Sequence, residues 1–83
     1  MLELRFFGRL GDLSREISSS IAYEDYLSTP LAIVDWIALD HPALAEELSQ
    51  PQVLVSVNRT VVNWNQTLVD GDEVAFLPPV TGG

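Results

Sequence analysis

The chain has 83 residues, 47% of them apolar, and a formal charge of −8 from twelve acids against four arginines. That length supports one small domain on one hydrophobic core, and the apolar share is too high for a disordered chain. The acidic balance disfavours nucleic acid and anionic membrane, and the absence of cysteine excludes disulfides, thiolate metal sites and a cysteine nucleophile.

Lysine is absent too, so the chain offers no side-chain amine for isopeptide attachment to itself. No apolar run approaches the roughly 20 residues that span a bilayer. Leu2-Glu3-Leu4-Arg5 alternates, unlike the basic stretch and apolar run of a signal peptide. The expected location is the cytoplasm.

Met1 to Phe7 puts Leu2, Leu4 and Phe6 on one side and Glu3, Arg5 and Phe7 on the other, the alternation of a half-buried strand. Phe7 breaks the polar half of that pattern. Gly8 to Ser14 reads as a loop with at most one helical turn, pinned to the core by Leu10 and Leu13. Arg15 to Tyr23 alternates again and predicts a second strand, with Ile17 and Ile21 inward. Its serines specify the register only weakly.

Thr29-Pro30 marks a helix start, with Thr29 as N-cap and Pro30 at the first helical position. Leu31, Val34, Ile37 and Ala38 follow at helical spacing, widened by Ile33 and Trp36, so the helix is expected to lie well inside the core. Pro42 disfavours helical geometry at His41 and splits off a short second helix, Pro42 to Leu48, with Asp40 as its candidate cap. Gln52 to Val57 is a strand with three valines on one face. Asn58-Arg59 is a two-residue hairpin turn into Thr60-Val61-Val62. Asn63 to Val69 is irregular, anchored by Trp64 and Leu68. Asp70-Gly71 is a turn, and Glu73 to Leu77 is the last strand. Pro78-Pro79 ends regular pairing, since neither has an N–H to give. The pattern alone gives an α+β fold with a mixed sheet against one main helix.

Few side chains suggest chemistry. His41 is the only histidine and has no nucleophile in any recognisable motif beside it, so it reads as a helix-end residue. The acid pairs Glu24-Asp25, Glu46-Glu47 and Asp72-Glu73 read as solvated, and Asp70 and Asp72 as turn formers. No ligand spacing suggests a metal, and no glycine loop suggests a bound nucleotide. Phe7, Val61 and Leu77 lie on or near the face opposite the expected core. They either pack beneath the irregular segment or form an exposed apolar patch for a partner.

The last stretch is the most specific. Asp70-Gly71-Asp72-Glu73-Val74-Ala75-Phe76, followed by Pro78-Pro79-Val80-Thr81-Gly82-Gly83, resembles the MoaD-like sulfur carriers, the molybdopterin synthase small subunits of the ThiS/MoaD ubiquitin-like family. Leu2-Glu3-Leu4-Arg5-Phe6-Phe7 adds a weaker match. The resemblance implies a β-grasp domain over residues 1–77, about five strands wrapping one main helix, with the last strand central and parallel to the first. It implies an extended tail over 78–83. It also implies that Gly83 is adenylated and then carries sulfur as a thiocarboxylate. Pro78, Pro79, Val80, Thr81 and Gly82 would thread into a partner, and Phe7, Val61 and Leu77 would dock.

The implied acceptor is the cyclic pyranopterin precursor of molybdopterin. The implied partners are the large (MoaE-like) synthase subunit, which would hold the catalytic residues, and a MoeB-like adenylating sulfurtransferase that uses ATP. This chain would bind no cofactor itself. Sulfur delivery to thiamin or transfer RNA, and a non-covalent β-grasp interaction module, are the alternatives. The first differs in its acceptor; the second would gain no sulfur. A hydrolase using paired acids would keep its activity without Gly82-Gly83.

Overall fold

A computed structural model describes residues 1–78. The elements are β1 (Leu2–Phe6), α1 (Arg9–Leu13), β2 (Ser20–Ile21), α2 (Pro30–Asp40), α3 (Pro42–Leu48), β3 (Leu54–Val57), β4 (Thr60–Val62) and β5 (Glu73–Leu77), with a 3-10 turn at Asp25–Leu27. One mixed sheet has the order β2-β1-β5-β3-β4. β5 is central: it runs parallel to β1, with Leu4 opposite Val74, and antiparallel to β3, with Val55 opposite Phe76. The helices lie on one face only, which is the β-grasp arrangement.

Alternation decides which side of each strand is buried. Leu2 and Leu4 of β1, Val55 of β3, and Val74 and Phe76 of β5 point to the helices and are buried with Ile33, Ile37, Leu44 and Leu48. Phe76 is the centre of this layer. Its ring stacks on Phe6 at a centroid distance of 5.1 Å and on Trp64 at 5.9 Å, geometry that adds to simple area burial. The irregular segment after β4 is tied down by backbone bonds, Leu31 N–H to the Trp64 carbonyl at 3.0 Å and Leu68 N–H to the Ser28 carbonyl at 2.8 Å.

The local signals form as expected at several points. Thr29 Oγ1 accepts the Ala32 N–H at 3.1 Å, capping α2 ahead of Pro30. Asn58 and Arg59 both take positive φ, 50° and 71°, as a two-residue hairpin turn of the primed type requires. β5 ends at Leu77, directly before Pro78.

Four expectations need correcting. The second strand is only Ser20–Ile21, not Arg15 to Tyr23. Ser18 Oγ donates to the Ser20 carbonyl at 2.8 Å and accepts the Ser20 N–H at 3.2 Å, so side chain competes with ladder there. Leu10 is buried, but Leu13 is exposed and pins nothing. On α2 the buried stripe is Pro30, Ile33, Val34 and Ile37, while Leu31 and Ala38 face outward. The helix therefore sits across the core's edge rather than deep within it. Asp40 closes α2 instead of capping α3; His41 takes the joint, with no side-chain cap.

Candidate functional site

The face of the sheet away from the helices carries the candidate site. The same two-residue period that buries Phe76 turns Glu73, Ala75 and Leu77 of β5 outward, together with Arg5 of β1 and Ser56 of β3. Phe7 follows β1 on that side, and Val61 faces Ser56 across the β3–β4 pair. These residues and Arg59 line one open groove of about 450 Å³.

The floor of the groove is small and closed. Ala75 is 5% exposed and Ser56 6%, although no helix or loop among the described residues lies over them. Longer neighbours form the walls. Phe7 is 46% exposed and Val61 57%, and Leu77 is half-buried. The sequence thus identified three apolar wall residues, and the structure brings all three to one depression. They do not pack beneath the irregular segment.

The polar end of the groove was not singled out from the sequence. Glu73 sits between two arginines: Arg5 Nε donates to its Oε2 at 2.9 Å, and Arg59 Nε lies 4.0 Å from its Oε1. Glu73 is held by its own backbone, whose N–H donates to Asn58 Oδ1 at 3.0 Å and whose carbonyl accepts the Asn58 N–H at 2.8 Å. Asn58 Nδ2 in turn donates to Asp72 Oδ1 at 2.9 Å, and Asp72 Oδ2 accepts the Val69 N–H at 2.9 Å. This locks the hairpin tip against the turn before β5. The signal for Arg5 and Glu73 was present in the alternation, since they share faces with Phe7 and Leu77.

At the other end the groove meets the start of the tail. Gly8 has φ +57°, and a Cβ built there would lie 2.9 Å from Cγ of Pro78. Only glycine fits both the backbone and the space, so the Pro78 ring rests directly on main chain next to Phe7. Pro79, Val80, Thr81, Gly82 and Gly83, named above as the threading and sulfur-bearing residues, lie outside the described residues.

The remaining candidates stay apart. His41 is half-buried at the α2–α3 joint, where its N–H donates to the Ile37 carbonyl at 2.8 Å and its carbonyl accepts the Ala45 N–H at 3.1 Å. Glu47 reaches Arg9 at 3.4 Å, an exposed pair worth little. No group of metal-ligating side chains is present among the described residues. No helix among them is long and apolar enough to cross a membrane.

Comparison with known proteins bears on this geometry. The ThiS family model matches residues 4–83. The molybdopterin synthase sulfur carrier subunit of Escherichia coli (strain K12) is 35% identical over 83 residues, covering 100% of both chains. The solution structure of the HVO 2177 protein of Haloferax volcanii superposes with a TM-score of 0.77 at 30% identity, over 99% of this chain and 85% of that one. A chain from the complex of subunits 1 and 2 of the molybdopterin-converting factor of Helicobacter pylori has the same fold. Its TM-score is 0.61 at 22% identity, over 99% of this chain and 97% of that one.

Proposed function

The chain belongs to the ThiS family, and from that membership we propose that it is the sulfur carrier subunit of a molybdopterin synthase. The observation that carries the proposal is the full-length identity of 35% to a molybdopterin synthase sulfur carrier subunit. The geometry suits the role. An open apolar groove on the central strand leads directly to a tail whose first proline is seated on Gly8.

In this reading the working group is the carboxyl of Gly83. A carboxylate is a poor electrophile. Adenylation by an ATP-using partner gives it a good leaving group. The terminal sulfur of a persulfide donor then displaces AMP to give an acyl disulfide. A second thiol cleaves the S–S bond, forming a disulfide with the donor and leaving a thiocarboxylate. That group is nucleophilic near neutral pH and needs no cysteine, consistent with a chain that has none. It attacks the cyclic pyranopterin precursor in the active site of the large subunit, which supplies the acid–base groups. Gly82 and Gly83 carry no Cβ and fit a narrow channel. Pro78 and Pro79 restrict the chain before threading, which lowers the entropy cost of insertion. Phe7, Val61 and Leu77 form the docking wall, in keeping with the paired subunits of the Helicobacter complex. Both partners are expected in the cytoplasm.

Intact-mass spectrometry tests this after incubation with the activating enzyme, ATP and a sulfur donor. The carrier gains the mass difference between one sulfur and one oxygen, and the variant lacking Gly83 gains nothing while keeping its fold. An unchanged wild-type mass under conditions that load the Escherichia coli carrier would rule the proposal out.

A further inference from the structure

Arg59 is placed at a backbone cost that its contacts among the described residues do little to offset. It is the second residue of the hairpin turn, at φ +71°, a position where glycine is the favoured residue because a Cβ crowds the backbone. Its side chain is 89% exposed, and its ionic neighbour among the described residues, Glu73, is 4.0 Å away and already bonded to Arg5 at 2.9 Å. The turn is nevertheless held rigidly, because Asn58 bridges Asp72 and the Glu73 N–H. The side chain therefore lines the groove from a stiff base while making little use of its charge among the described residues. A residue kept in an unfavourable backbone region with little return among the described residues points to a role outside the molecule.

The local charge says what it meets. The chain has twelve acids and four arginines, yet two of those arginines line this groove against one carboxylate, Glu73. The outward neighbour Glu3 is bonded to the Ser20 hydroxyl at 3.0 Å. Glu3 keeps its charge, so only the lining itself, with Arg5 and Arg59 against Glu73, carries a net positive charge on an acidic protein. Resting on the docking role above, we propose that Arg59 is a recognition residue. It pairs with an aspartate or glutamate of the partner protein whose apolar side chain seats on the Ala75–Ser56 floor. A second copy of this chain is not that partner, because its net charge of −8 repels itself over the approach distance.

The test uses the large synthase subunit encoded by the same organism. Association and dissociation rates are measured at low and raised salt for wild type, Arg59→Gly, Arg59→Glu and Arg15→Glu, with urea unfolding of each. Arg15 makes the same charge change on an exposed pair with Asp12 outside the groove. Arg59→Gly should keep or raise the unfolding midpoint and bind about three- to tenfold more weakly. Arg59→Glu should associate about tenfold more slowly at low salt, with the gap closing as salt rises. Arg15→Glu should stay within about twofold of wild type.

Wild-type affinity retained in both Arg59 variants overturns the inference, as does an equal loss in Arg15→Glu, which would mean general steering. Wild type that neither binds the subunit nor gains sulfur removes the docking reading, and this inference with it. Binding and loading with indifferent Arg59 variants remove this inference alone.

Discussion

The two faces of β5 answer to different demands. Inward, Val74 and Phe76 are fully buried against the helices, and the rings of Phe6 and Trp64 stack on Phe76. Outward, Ala75 is almost as hidden, yet it forms the floor of an open groove walled by Phe7, Val61 and Leu77. The inner face is specified by volume and tolerates little change. The outer face is specified by shape and charge, and its residues contribute little to holding the chain together. Stability and docking should therefore separate across a single strand, one residue apart.

The largest expected effect is on the inner side. Phe76→Ala removes the ring at the centre of the stack and leaves a cavity, at a cost of about 3–5 kcal/mol. Against the roughly 5–15 kcal/mol available to a typical domain, that leaves a marginal protein. Urea unfolding should show a much lower midpoint, and a shift near zero would mean that Phe76 is not the centre of the core.

Gly8→Ala comes next and probes where the faces meet. The substitution forces a Cβ into a φ of +57° and against Cγ of Pro78 at 2.9 Å. Strain and overpacking of this kind cost about 1–3 kcal/mol. The ring of Pro78 must also shift, at the residue where β5 gives way to the tail. Sulfur transfer should fall further than urea unfolding alone would explain. Equal losses in both would reduce Gly8 to a turn residue.

The sequence shows the inner face more fully than the outer one, for physical reasons. Burial in strands is a period of two, so Leu2, Leu4 and Val55 were readable from alternation, whereas Val74 to Leu77 is apolar throughout and shows its faces only in the fold. Thr29-Pro30, Asn58-Arg59 and Asp70-Gly71 were readable because capping and turn chemistry act within a few residues. The exceptions to alternation, Phe7, Val61 and Leu77, marked the groove's apolar wall. The core-facing side of α2 was not readable. Pro30 to Leu39 is apolar nearly all round, so period alone does not choose between Leu31 and Ile33. Nor was the length of β2, where Ser18 bonds its own backbone. Gly8 escaped because its partner Pro78 is distant in sequence. Arg59 escaped because exposure at a strained turn is visible only once the turn is built.

Leu77→Ser should give the smallest stability change and so the sharpest comparison. Leu77 is half-buried and lies opposite Leu54, itself exposed, at the end of the β3–β5 pair. Removing its side chain costs the fold about 0.5–1 kcal/mol, the range of partly exposed positions. A docking wall behaves differently, because a partner completes the burial that the free chain leaves undone. Apolar anchors of that kind carry about 2 kcal/mol or more of binding, so affinity for the large subunit should fall by roughly tenfold or more. Titration of the large subunit with Leu77→Ser, set beside its urea curve, reads both quantities on one protein. If binding and stability fall together, the outward face of β5 is part of the core's support. If binding falls alone, one residue step along the strand separates the part that folds from the part that is recognised.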